Sequence, residues 1–249
     1  FWTIFAENNM VLKLAKKYQT IKGKNIIVTG YPKMDKLSSL DAPKKDRKQV
    51  IIAPHHSINN DVASVGCFLQ YFNKILDLPT KYPQIDFVFR PHPILLENLR
   101  TVYWGEEKTN QYLEKLLANK NVYYSTEGDY LELFAKSDAL IHDCGSFLAE
   151  YLYTGKPCAY MYKKELNPDK VWTKLGKGML DCHYVIKKED DIDYFLENVV
   201  LKEKDYLVEK RKSFFEKNIK MGYPNVTENI YRELKSEFGK YLVVFIMMA

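Results

Sequence analysis

The feature that most limits what this chain can fold into is a repeat of type, not of sequence: a short apolar, β-favouring run followed by a stretch with helical spacing. The runs are "NIIVTG" at 25–30, "VIIAP" at 50–54, "DFVFRP" at 86–91, "NVYYS" at 121–125, "ALIHD" at 139–143, "CAYMY" at 158–162 and "HYVI" at 183–186. Continuous apolar runs of this length suit strands covered on both faces. The clearest helical pattern between them places Val62, Val65, Phe68, Leu69, Phe72, Ile75 and Leu76 at three-and-four spacing behind Asp61 as N-cap. Strand and helix alternate, so the spacing predicts an α/β fold with a Rossmann-like, doubly wound parallel sheet.

Past residue 188 the pattern turns helical. Ile192, Phe195, Leu196 and Val199 share one face, and Asn225 with Glu228 has the spacing of a capping box ahead of Ile230, Leu234 and Phe238. The polar stretch "SSLDAPKKDRKQ", 38–49, reads as a linker. Residues 1–37 then read as the tail end of an upstream lobe, and 50–240 as the main Rossmann-like lobe with its C-terminal helices. The last nine residues, "YLVVFIMMA" at 241–249, are too few to span a bilayer. A buried last strand, a non-native tail and a membrane toe-hold all fit them.

Composition closes some classes. At 249 residues and 46% hydrophobic, the chain can bury a full core for one domain or one and a half. The opening "FWTIFAENNM" lacks the pattern of a signal peptide, and no stretch approaches the roughly 20 apolar residues of a span. A soluble, intracellular protein is the expectation. Cys67, Cys144, Cys158 and Cys182 form no CxxC pair, which argues for reduced thiols over a zinc knuckle or a disulfide framework. The net charge of +5 is spread along the chain and suits a phosphate-bearing substrate or an anionic membrane face; it does not demand nucleic acid.

In parallel α/β sheets ligands bind beyond the carboxyl ends of strands. Three of these ends carry histidine. "APHHS" at 53–57 brings His55, His56 and Ser57 as candidate cleft-lining residues; a metal here would need further ligands from other loops, and loop filling is the plainer use. "FRPHP" at 89–93 sets Arg90 and His92 on a turn stiffened by two prolines: one permanent cation with a phosphate-matching fork, one titratable ring. A surface ion pair and a turn cap are the alternative uses of these two. "IHDCGS" at 141–146 ends a strand in His142 and Asp143; a helix starting at Ser146 would aim free N–H groups at an anion, with Gly145 allowing close approach. Plain helix capping by Asp143 or Ser146 fits equally. Glu150 lies one turn on, and Gly155-Lys156-Pro157 is a stop signal. "LGKGMLDCHY" at 175–184 reads as a glycine-spaced flexible loop carrying Asp181.

The order of these pieces resembles the CDP-glycerol glycerophosphotransferase family, the polymerases and primases of teichoic-acid-like chains. Gly30-Tyr31-Pro32-Lys33-Met34-Asp35 matches a G-x-P-R/K-x-D step, Arg90-Pro91-His92-Pro93 matches R-x-H-P, and Ser137 to Pro157 follow S-D-x-L-I-x-D-x-S-S-x-x-x-D/E-Y-x-x-x-x-K-P. The resemblance covers about residues 25–235. It departs at Cys144-Gly145, where Tyr-Ser or Ser-Ser is usual, and at Ala-Pro-His-His-Ser, where Ala-Pro-Thr-Trp-Arg is usual.

The resemblance implies the second, donor-binding lobe of a GT-B fold. It implies His92 as catalytic residue, and Arg90, His142, Asp143, Gly145, Ser146 and Glu150 around the donor pyrophosphate. It further implies a CDP-activated donor, a lipid-linked or polymer acceptor, no cofactor and no obligatory metal. The place implied is the cytoplasm, peripheral to the inner face of a bacterial membrane. A nucleotide-sugar glycosyltransferase for capsule and a non-catalytic nucleotide-binding lobe are the rival readings.

Overall fold

The structure is a computed structural model that describes residues 2–42, 45–59, 65–126, 128–164 and 166–247, with the side chains of 237–247 left aside. The strands are β1 Ile4–Ala6, β2 Ile26–Val28, β3 Lys48–Ala53, β4 Ile85–Phe89, β5 Val122–Tyr124, β6 Ala139–His142, β7 Cys158–Met161 and β8 Tyr184–Ile186. The helices are α1 Asn9–Tyr18, α2 Phe68–Lys81, α3 Pro93–Asn98, α4 Glu106–Leu117, α5 Leu131–Lys136, α6 Phe147–Glu150, α7 Pro168–Val171, α8 Lys174–Leu180, α9 Glu189–Tyr194, α10 Val208–Asn218 and α11 Val226–Met247. The chain divides into two units, 1–40 with 214–249, and 41–213.

All seven apolar runs are strands. Six of them form the parallel sheet of the second unit, in the order β5-β4-β3-β6-β7-β8. β3, the first strand of the unit, sits in the middle, with β4 on one side and β6 on the other. Strand order therefore reverses between β3 and β6, and the carboxyl ends of these two strands diverge into a crevice. Every residue of β6 and β7 is buried, as continuous apolar runs require of central strands. On one side of the sheet Phe68 and Phe72 of α2 meet Trp104 and Tyr112, with ring centroids 4.9–6.2 Å apart. That spacing is the edge and offset packing aromatic rings prefer.

The helical spacing of Phe68 to Leu76 is realised in α2, while Asp61 and Val62 lie outside the described residues. Ile192, Phe195, Leu196 and Val199 are all buried, on α9 and the wider helical turns at Phe195–Leu201 that continue it. Three local expectations change. Residues 174–180 form a helix, not a loop: the Thr173 hydroxyl accepts from the Gly176 N–H at 3.1 Å, and Trp172 covers Gly176, with ring carbon Cε3 3.2 Å from where a Gly176 Cβ would sit. Residues 241–247 continue α11, so they are not a strand. Glu228 pairs with Arg232 at 3.0 Å instead of closing a capping box.

The first unit holds β1 beside β2 in parallel, a strand pair whose first member is too short to stand out in the sequence. Residues 214–240, expected from the sequence in the second lobe, group with this unit. The reason is local. The Asp35 carboxylate accepts from the Val226 and Thr227 N–H groups at 3.1 and 2.7 Å, supplying the N-terminal cap of α11. Gly30, at φ 103°, lies so near the Met221 carbonyl that a Cβ would fall 1.7 Å from its oxygen. The Gly-x-Pro-Lys-x-Asp step is thus the socket for the last helix.

Candidate functional site

A cleft of about 550 Å³ opens beyond the carboxyl ends of β3, β4, β5 and β6. Its walls come from the loops that follow those strands, and backbone hydrogen bonds carry the strand order past the sheet. The Arg90 N–H donates to Ile52 O at 2.8 Å, and the His92 N–H donates to Pro54 O at 2.9 Å. This zips the loop holding His55 and His56 to the loop holding His92. Arg90, His92, His55 and Ser146 line the cleft, joined by Arg100, Tyr124, Ser125, Tyr130, Cys144 and Phe147. Among the described lining residues none is acidic.

Arg90 is held on two sides. Its Nη1 donates to Ser125 Oγ at 2.9 Å, and its guanidinium lies 5.3 Å from the centre of the Tyr130 ring. Tyr130 in turn donates its hydroxyl to Glu150, which is buried. Glu150 thus reaches the cleft through Tyr130 and does not line it, although the family resemblance implies it beside the donor pyrophosphate.

His92 occupies the N-cap of α3, with Pro93 at the first helical position and its Nδ1 accepting from the Ile94 N–H at 3.2 Å. Burial, then the neighbouring His56, lowers its pKa. The neutral ring accepts at Nδ1, so it carries its proton on Nε2. His55 is pushed down to about 4 by burial first, then by His56 and His92. The three rings form one cluster, with centroids 4.2 Å (His55 to His56), 4.1 Å (His56 to His92) and 5.3 Å (His55 to His92) apart. Ser57 fastens it, its hydroxyl 2.8 Å from His55 Nδ1 and accepting from the Val65 and Gly66 N–H groups.

The opposite wall differs from what the sequence implied. His142 and Asp143 are fully buried behind it. Asp143 accepts from the His55 N–H through Oδ1 and from the Cys67 N–H through Oδ2 at 2.5 and 2.7 Å, tying the loop after β3 to the start of α2. Burial raises its carboxyl to about 6 while these donors hold it down. His142 meets His183 at 5.2 Å and Tyr160 at 5.4 Å, both edge to face; burial above all drives its pKa well down and that of His183 to about 4. Gly145 faces the Trp172 ring, 3.5 Å from the site of a Cβ. Ser146 is exposed, has helical backbone angles, makes no capping bond and lies 3.2 Å from Cys144 Sγ. The helix behind it is a single turn that tightens at Tyr151–Thr154, so the macrodipole expected at its start is small. Asp181 ends α8, exposed and 3.8 Å from Lys210, and does not line the cleft. Arg100, Tyr124 and Tyr130 carry no sequence pattern that marks them; the rule that strand ends hold ligands, applied to the end of residues 121–125, is the one signal that could have found Tyr124 and Ser125.

A parallel α/β sheet with a basic, aromatic-walled cleft at its switch point is a fold whose ligands bind beyond the strand ends. Solved structures share the fold. The wall teichoic acid polymerase TagF is similar at a TM-score of 0.65 and 16% identity, over 97% of this chain and 59% of that one. A UDP-GlcNAc 2-epimerase from Neisseria meningitidis bound to UDP-GlcNAc is similar at 0.57 and 17%, over 94% of this chain and 61% of that one. The S. aureus MnaA-UDP co-structure gives 0.60 and 15%, over 96% and 61%. This chain therefore spans about three fifths of these relatives. No curated protein sequence matches it. Residues 3–236 match the CDP-Glycerol:Poly(glycerophosphate) glycerophosphotransferase family, and the chain belongs to that family.

Proposed function

We propose that this chain supplies the donor site for transfer of a phospho-alcohol, glycerol phosphate or a similar group, from a CDP-activated donor to a hydroxyl of a cell-surface polymer. The observation that carries the reading is the charge of the cleft: two arginines, no acidic residue among the described lining, and aromatic rings beside them. Such a wall favours a pyrophosphate and offers a base something to stack on. Arg90, fixed by Ser125 and Tyr130, pairs with the pyrophosphate. His92 presents Nε2–H and donates to a phosphate oxygen, stabilising charge as the acceptor hydroxyl oxygen attacks the β-phosphorus in line. The bond from that phosphorus to the bridging oxygen breaks, CMP departs with the oxygen, and the hydroxyl proton passes to the departing phosphate or to water. Ser146 adds a hydroxyl from the far wall. His142, Asp143 and Glu150 act by holding the cleft walls.

The acceptor is a lipid-linked or polymer hydroxyl, which places the protein at the inner face of a membrane by peripheral contact. No helix among the described residues is long and apolar enough to cross one.

Calorimetric titration with CMP, CDP-glycerol, UDP and UDP-sugars at fixed salt tests the donor. The cytidine ligands bind preferentially, and Arg90→Ala weakens them by about 1–3 kcal/mol, the worth of a charged hydrogen-bonded contact. Preference for uridine would replace this reading with a glycosyltransferase, and an Arg90→Ala affinity equal to wild type would remove the proposed phosphate contact.

A further inference from the structure

The family resemblance implied no obligatory metal, and the sequence alone left His55 and His56 short of a third ligand. The fold supplies one. His55, His56 and His92 each offer a ring nitrogen within 4.8 Å of the others, from two loops zipped together by the His92 N–H to Pro54 O bond. We propose that these three histidines form a binding site for a divalent transition-metal ion of the zinc type, set in the wall of the cleft.

Four observations carry it. The donor set is three imidazoles with no carboxylate among them, which suits zinc and the neighbouring late transition metals and disfavours magnesium or calcium. The Nδ1 of His56 is buried and has no hydrogen-bond partner among the described residues, a state that costs stability unless something else satisfies it. His55 Nδ1 faces Ser57 Oγ at 2.8 Å and accepts from the Ser57 N–H at 3.3 Å, which leaves Nε2 as its ligand atom; on ligation Nδ1 takes the ring proton, donates it to the hydroxyl and gives up the longer N–H contact. Asp143 fixes the backbone of the same loop through the His55 N–H.

The rings must still close. Metal–nitrogen bonds of about 2.0–2.1 Å in a tetrahedral set bring the nitrogens to about 3.3 Å, so the cluster contracts by roughly 1.5 Å at most. At His92 this gives up the Ile94 N–H bond, which at 3.2 Å is at the long end of the range. Three protein ligands leave a fourth position. His55 and His92 line the cleft, so that position is reached from it, by water or by a phosphate oxygen.

The test uses the chain stripped with a chelator and then titrated with Zn²⁺ alone, and with Co²⁺ followed by its visible spectrum. The site predicts one equivalent bound, an intense Co²⁺ spectrum of tetrahedral type without a thiolate band, and Zn²⁺ affinity lowered at least tenfold in both His56→Ala and His55→Gln. Thermal melts of the metal-free variants check that they fold. The other two of the five histidines, His142 and His183, are buried away from this cluster, so surface histidines do not supply a background site. No Zn²⁺ binding, binding unchanged in the two variants, or a thiolate-to-cobalt band that moves the site to Cys144 would each overturn the proposal. These outcomes are independent of nucleotide preference, so the metal site and the transferase reading fail separately.

Discussion

β4 and β6 flank β3, yet the loops that leave them behave in opposite ways. After β4, Arg90 and His92 face the cleft; after β6, His142 and Asp143 turn inward. The difference lies in what each backbone needs. Pro91 and Pro93 carry no N–H, and the N–H groups of Arg90 and His92 are met by Ile52 of β3 and by Pro54 just past it, so what the turn takes from these two side chains is the long bond between His92 Nδ1 and the Ile94 N–H. At the switch point the N–H groups of His55 and Cys67 have no strand to pair with, and the Asp143 carboxylate accepts both. One loop is free to meet a ligand because the other holds the frame.

The largest expected effect breaks the frame. Asp143→Ala leaves two buried donors unsatisfied and should cost about 3 kcal/mol in urea unfolding, with a looser cleft. A loss under about 1 kcal/mol would mean the carboxylate does not tie the loops.

The next effect is a pH dependence in which the buried histidines of the inner wall add to His55 and His92 of the cleft. His183 has its folded pKa depressed to about 4, so between the unfolded value of about 6.5 and 4 the unfolded chain binds the extra proton. Stability is present above that window and falls as pH drops through it, by about 2 kcal/mol from pH 7 to pH 5. His142, also depressed, acts in the same sense, whereas Asp143, raised to about 6, acts in the opposite one. Comparing wild type with His183→Gln isolates the histidine, and equal pH slopes in the two proteins would remove it.

The smallest effect sharpens the outer wall. Tyr130→Phe keeps the ring under Arg90 but loses the hydroxyl bond to the buried Glu150, so nucleotide affinity should fall by about 1 kcal/mol or less, with a loss of stability of about 1 kcal/mol from the carboxyl left short of a donor. A drop as large as that of Arg90→Ala would instead place the tyrosine hydroxyl on the ligand.

Much of this comparison was legible in part. The strands were readable because buried parallel strands are apolar at every position, as in Ala139 to Ile141. Arg90 and His92 were readable as a loop because two prolines bracket the histidine. The α8 helix was not, since Gly176 and Gly178 argue against helix in isolation and only the covering Trp172 and the Thr173 cap make it hold. Only the family resemblance puts Asp143 and Glu150 at the donor pyrophosphate. Their burial and their backbone or tyrosine partners come from elements distant in sequence.

By itself the sequence determined a parallel α/β fold, a site beyond its strand ends and the residues worth watching there, because local periodicity records which faces are buried. Only the tertiary structure decided that His55 and His56 meet His92, that Asp143 faces inward and that Tyr130 braces Arg90. Those meetings depend on strand order and on hydrogen bonds between separate loops, which no single stretch of chain encodes.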